Sequence, residues 1–204
     1  MRLRLLAGVV AASGLGLVAV SGAPANGDPA SDYLQSQSTF LPFDAKIPKA
    51  QTEQLNTIVA DAKKRGYTIR VAVISKPFDL GAVPSLWRKP KTYARFLGQE
   101  LFFVYKGRLL VVMPNGYGVS RGGKPLKNAQ RLADTLPPPG AGGTALTTGA
   151  TRAVKRLAAQ SGVRVEIPRA TSGGTATRDR IVIAGAAGAI ALLVAAGVVL
   201  RRRR

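Results

Sequence analysis

Apolar positions along the chain change period several times between residues 40 and 167, and each change marks an element. Phe40-Leu41-Pro42-Phe43 is a short apolar patch that reads as an extended segment docked on a core, with Pro42 excluding a central strand there. A helix is predicted from Pro48 to about Arg65, because Leu55, Ile58, Val59 and Ala62 recur at i, i+3, i+4 and i+7. Gly66 is a natural stop, and Lys63, Lys64 and Arg65 suit the negative end of the helix dipole. Thr68 to Ile74 is rich in β-branched residues and reads as a buried strand. After a loop containing Pro77 and Pro84, a second helix starts at Pro90, with Tyr93, Phe96, Leu97 and Leu101 on one face. Leu101 to Tyr105 reads either as a short strand or as the frayed end of that helix.

Arg108 to Met113 is a second buried strand, and Asn115-Gly116 predicts a type I′ turn that returns Tyr117–Arg121 antiparallel to it. Gly122-Gly123 ends this hairpin. A third helix is expected over Leu126–Leu136, halted by Pro137-Pro138-Pro139-Gly140. A fourth runs from Thr144 to about Gln160, and Val163–Ile167 reads as a short edge strand. Helix alternating with strand in this order predicts an α/β domain over 40–167: a small mixed β-sheet covered by helices. The strands at 68–74 and 108–113 are expected to be parallel and joined by a right-handed crossover. Residues 26–39 are polar and aperiodic and read as a flexible lead-in.

The two ends read as addresses. Arg2 and Arg4, an apolar run from Leu5 to Val20, and Ala23-Pro24-Ala25 match a secretory signal peptide over 1–25. Ile181 to Leu200 is an uncharged stretch of 20 residues, long enough as a helix to cross a bilayer core of roughly 30 Å. The arginines at 201–204 follow it as a basic stub, and Pro168 to Arg180 reads as a Gly/Ser/Thr linker. Positive charge stays on the cytoplasmic side, so the expected topology is a single-pass membrane protein with an extracytoplasmic N-terminal domain.

Composition narrows the chemistry. The 204 residues include no cysteine and no histidine. Disulfides, thiolate or imidazole metal sites, and Ser-His or Cys-His catalysis are therefore excluded. Gly116-Tyr117-Gly118 with Gly122 is one residue too long for a dinucleotide loop, and Pro137–Thr144 lacks the ending of a P-loop. Carboxylates are the remaining acid/base or metal-binding groups, with Asp79 after the first strand and Asp44 after the Phe40–Phe43 patch as candidates. A hard cation, Ca²⁺ or Mg²⁺, is the metal such oxygens suit; no other cofactor is expected.

Net charge is +20, from 30 Lys+Arg against 10 Asp+Glu. Three basic clusters stand out: Arg152, Lys155 and Arg156 on one helix face; Lys124, Lys127 and Arg131; and Arg88, Lys89 and Lys91. The first two are candidate contacts for an anionic lipid or envelope polymer. Export argues against nucleic acid as the partner.

The stretches Gln54-Leu55-Asn56, Ile69–Ile74, Tyr93-Ala94-Arg95-Phe96-Leu97 and Arg108–Met113 with the hairpin after it resemble a TPM-type domain over roughly residues 40–160. That resemblance implies an α/β sandwich with a central sheet, export, and a membrane anchor. It also implies links to acid phosphatase activity and to the assembly or repair of membrane protein complexes. The expected function is thus a membrane-anchored module that binds or helps assemble anionic envelope components, with a metal-assisted phosphomonoesterase as the alternative.

Overall fold

The computed structural model describes residues 27–166. The predicted leader, the linker, the membrane span and the basic stub lie outside the described residues. Among the described residues no helix is long and apolar enough to cross a membrane.

The fold is α/β, as the alternation predicts. Five strands form one sheet in the order β1 (Thr39–Phe40), β2 (Ile69–Val73), β3 (Arg108–Met113), β4 (Gly116–Arg121) and β5 (Lys124–Pro125). β1, β2 and β3 are parallel, with Phe40 opposite Ala72 and Val71 opposite Leu110. β4 and β5 complete the sheet antiparallel. The helices are α1 (Pro29–Ser36), α2 (Lys49–Lys64), α3 (Pro90–Glu100), α4 (Lys127–Asp134) and α5 (Gly143–Gln160). Two 3-10 turns, Pro77–Leu80 and Pro84–Leu86, lie between β2 and α3.

Because side chains alternate across a strand, β2 and β3 feed two cores. Val71, Val73, Leu110 and Val112 point to one face, where α2, α4 and α5 bury Leu55, Ile58, Ala129, Leu146 and Val154. Ala72, Ile74, Leu109, Val111 and Met113 point to the other, against Leu34 of α1 and Tyr93 and Leu97 of α3. Burying each such Leu or Ile contributes about 1.5–3 kcal/mol, which makes the three-layer sandwich stable without disulfides. The β1–α2–β2 and β2–α3–β3 crossovers step the same way across the sheet, with their helices on opposite faces. The two connections therefore have opposite hands, so the right-handed rule cannot hold for both.

Four expectations are corrected. The lead-in is ordered from Asp28 onward: Asp28 Oδ1 accepts from the Ala30 N–H at 3.1 Å and caps α1, and Pro29 opens the helix. Thr39, expected in the flexible lead-in, joins Phe40 of the extended segment to form the edge strand β1. Residues 163–166 are not a strand; Val165 packs into the core as irregular chain. The β3–β4 turn is centred on Pro114-Asn115, because Met113 pairs with Gly116. Proline at the first turn position fixes a negative φ and rules out type I′ there. The turn with positive φ at both central residues is Gly122 (+52°) and Gly123 (+74°), between β4 and β5.

Candidate functional site

The two candidate carboxylates come from loops at the carboxyl ends of β1 and β2. Asp79 is buried, and its Oδ2 accepts from the Ser75 N–H at 2.7 Å, the Ser75 hydroxyl at 2.8 Å and the Lys76 N–H at 3.0 Å. It closes the loop after β2, and three donors saturate one of its oxygens. Asp44 is exposed and pairs with the Lys76 ammonium, whose pKa is raised by that hydrogen bond. The loops thus bring Asp44 and Asp79 into one neighbourhood with a lysine ammonium beside both. Among the described residues no group of three or more acidic side chains is placed to hold a metal.

Beside this loop an open cleft of about 580 Å³ is lined by Lys46, Ser75, Lys76 and the α5 N-terminal residues Gly142, Gly143 and Thr144. A second, of about 430 Å³, collects Arg88, Lys89 and Lys91 with Asn115, Tyr117 and Asp134. Lys91 Nζ is 2.8 Å from Asp134 Oδ2. Desolvation pushes the Asp134 carboxyl up, but hydrogen bonds from Lys91 and Gln130 outweigh it and hold the pKa below its ordinary value. Of the third basic cluster, one cation is therefore neutralised in place.

The other two clusters meet on the outer surface of α4 and α5. These helices lie side by side on one face of the sheet, joined where the Gln160 amide donates to the Asn128 carbonyl at 3.2 Å. Their inward residues are small and apolar: Ala129, Ala133, Ala150, Ala153, Val154 and Leu157. The 3.6-residue period then forces Lys127 and Arg131 of α4, and Arg152 and Arg156 of α5, outward, where all four are exposed. Lys124, exposed on β5, extends the surface toward the sheet edge. Lys155 differs: it is half-buried, and its Nζ lies 3.2 Å from Glu166 Oε2. Among the described residues, Lys124, Lys127, Arg131, Arg152 and Arg156 have no carboxylate within ion-pair distance. Arg131 donates instead to Asn128 Oδ1 at 2.6 Å. α5 contains no acidic residue over 18 positions, so nothing on that helix offsets its arginines.

Two features were not legible as site chemistry. Asp28 is buried between α1 and α3, and desolvation raises its pKa to about 6 despite the hydrogen bond from Tyr93. At the opposite edge from Asp79, Phe102, Phe103 and Val104 are exposed in the turn after α3. The aperiodic run Phe102-Phe103-Val104 was the available signal, but it reads equally well as a strand.

Comparison of the chain with protein-family models, with curated proteins and with solved structures finds no match.

Proposed function

We propose that this protein is a membrane-anchored, extracytoplasmic TPM-like domain that binds anionic envelope components through the outward face of α4 and α5. The observation that carries this is that Lys127 and Arg131 of α4 and Arg152 and Arg156 of α5 are exposed on two adjacent helices, with Lys124 exposed on β5 just before α4, and that none is paired with a described carboxylate. Unpaired surface cations keep their full attraction for an external anion, whereas a cation already paired must first give up its partner. Near an anionic bilayer each Lys or Arg contributes about 1 kcal/mol. Five together give about 5 kcal/mol, a dissociation constant on the order of 0.2 mM, without any demand for a shaped pocket.

The phosphomonoesterase alternative is disfavoured by the roles of its carboxylates, because Asp79 is held by Ser75 and Lys76 and Asp44 by Lys76. The test is sedimentation of residues 26–180 with vesicles containing an anionic lipid. The variant Lys127/Arg131/Arg152/Arg156→Ala is expected to bind at least tenfold more weakly, with an unchanged melting temperature. Full binding by that variant would refute the assignment.

A further inference from the structure

Phe102-Phe103-Val104 forms an apolar projection at the edge of the sheet where the parallel strands begin. Phe103 is 93% exposed, Val104 57% and Phe102 40%. The projection is held rigidly. The Val104 and Tyr105 N–H groups both donate to the Leu101 carbonyl, at 3.0 and 2.7 Å, and the Phe102 N–H to that of Gln99 at 3.0 Å. Tyr105 folds back under the turn: its hydroxyl donates to the Arg108 carbonyl at 2.8 Å, and the Arg70 guanidinium lies 4.1 Å from its ring centroid. With Tyr105 pinned, the two residues before it are pushed into solvent. Among the described residues Phe103 meets no other ring than Phe102. Phe43 and Phe78 of the opposite edge are exposed too, but each stands alone between a proline and an aspartate, Pro42 and Asp44 or Pro77 and Asp79, whereas Phe102, Phe103 and Val104 are contiguous and apolar.

The surroundings of the projection are basic. The segments at this edge, residues 63–68, 101–108 and 121–124, carry seven Lys or Arg, of which Arg65 is paired with Asp61, and residues 161–166 after α5 add Arg164 and Glu166. The loops of the opposite edge mix Asp44 and Asp79 with Lys46, Lys76, Arg88 and Lys89. Lys106 lies over the Phe102 ring at 4.6 Å, and the Gly122-Gly123 turn, flanked by Arg121 and Lys124, packs beside the same ring. α5 also ends here. Ser161, just past α5, hydrogen-bonds Tyr67, over whose ring Arg108 stacks at 4.4 Å. From there 14 residues, 167–180, separate the last described position from the uncharged stretch at 181–200. Even fully extended they reach no more than about 50 Å.

From these observations we infer that Phe102-Phe103-Val104 is a wedge that inserts into an anionic lipid bilayer and seats this edge of the sheet on the membrane. Apolar side chains enter the acyl boundary while the surrounding Lys and Arg stay at the headgroups. The inference rests on the membrane-anchored reading above and adds to it the orientation of the domain.

The test uses the full chain reconstituted in phosphatidylcholine vesicles containing phosphatidylglycerol, with lipids brominated in the acyl chain as quenchers. Trp87 is the single tryptophan and is replaced by Phe. Reporters are introduced one at a time as Phe103→Trp, Phe78→Trp on the opposite edge, and Arg156→Trp on the α5 face. A blue-shifted, quenched emission is expected at 103, and unquenched emission at 78. Unquenched emission at 103, or equal quenching at 103 and 78, would overturn the wedge. Quenching at 156 with none at 103 would overturn the wedge and leave the basic helix face as the contact. Absence of quenching at all three positions would overturn the wedge and also remove the bilayer as the surface bound by α4 and α5. If Trp87→Phe impairs folding, the same three comparisons are made as difference spectra against the native chain.

Discussion

The Tyr93 hydroxyl donates to Asp28 Oδ1 at 2.6 Å and ties the start of α1 to α3. The carboxylate also caps α1, yet its second oxygen, Oδ2, is buried with no partner. Burial without full hydrogen bonding disfavours the charged form, which is why the Asp28 pKa rises to about 6.

A folded state with a raised carboxyl pKa holds its proton more tightly than the unfolded chain. Stability from this group is fully present below about pH 4 and is lost as pH rises from there to about 6. Asp28→Asn keeps an acceptor for Ala30 and Tyr93 and removes the charge. It is expected to stabilise the domain by about 1 kcal/mol at pH 7.5, with the advantage shrinking below pH 5. Melting curves of the two proteins across that range check this. A constant difference at all pH values would refute the charge-burial account.

Gly118 and Gly98 set how closely α3 lies on the sheet. A Cβ at Gly118 would stand 1.9 Å from the Pro90 carbonyl oxygen, and one at Gly98 would stand 2.6 Å from the Gly123 nitrogen. Between them the Ser120 hydroxyl donates to the Ala94 carbonyl at 2.6 Å. Gly118→Ala must push a helix end off the strand, and a loss of about 2–3 kcal/mol is expected in denaturant unfolding. Wild-type stability in this variant would contradict the close contact.

Asn115 acts through its side chain. Its amide donates to the Arg88 carbonyl at 2.7 Å, and Arg88 is held at φ +59°, a left-handed conformation that costs about 1 kcal/mol or more for a non-glycine residue. Asn115→Ala is expected to cost about 1 kcal/mol, and the cost should shrink when Arg88 is replaced by Gly. A double-mutant cycle on unfolding free energies measures this; strict additivity would show that the two residues are not coupled.

The helices and strands with a long, regular apolar period were readable along the chain. α2, α3, β2 and β3 fall where Leu55, Ile58, Tyr93, Leu97 and the two β-branched runs place them. The short elements were not. α1 has eight residues with polar side chains at most positions, and its cap, Asp28, is satisfied by a tertiary partner 65 residues away. β5 has two residues, too few to show a strand period, and exists because Gly122-Gly123 turns the chain back. The hairpin turn shifted by one residue because Pro114 dictates its φ and Asn115 is drawn to Arg88.

The basic clusters were also visible as helical spacings, but their fates were set by tertiary contacts. Lys155 is paired with Glu166, a residue that belongs to another segment, whereas its neighbours Arg152 and Arg156 stay open. Asp79 lies after β2, at the carboxyl end where open α/β sheets place their sites. Its hydrogen bonds to Ser75 and Lys76 make it the brace of a loop.

The most direct measurement is a salt series for residues 26–180 binding to anionic and to neutral vesicles, wild type beside Lys127/Arg131/Arg152/Arg156→Ala. The screening length falls from about 10 Å at 0.1 M salt to about 3 Å at 1 M, so an attraction carried by open surface cations must collapse over that interval. The account predicts binding to anionic vesicles that falls steeply with salt and is weakened at least tenfold in the quadruple variant at 0.1 M salt. Salt-insensitive binding, or equal binding by wild type and variant, would contradict it.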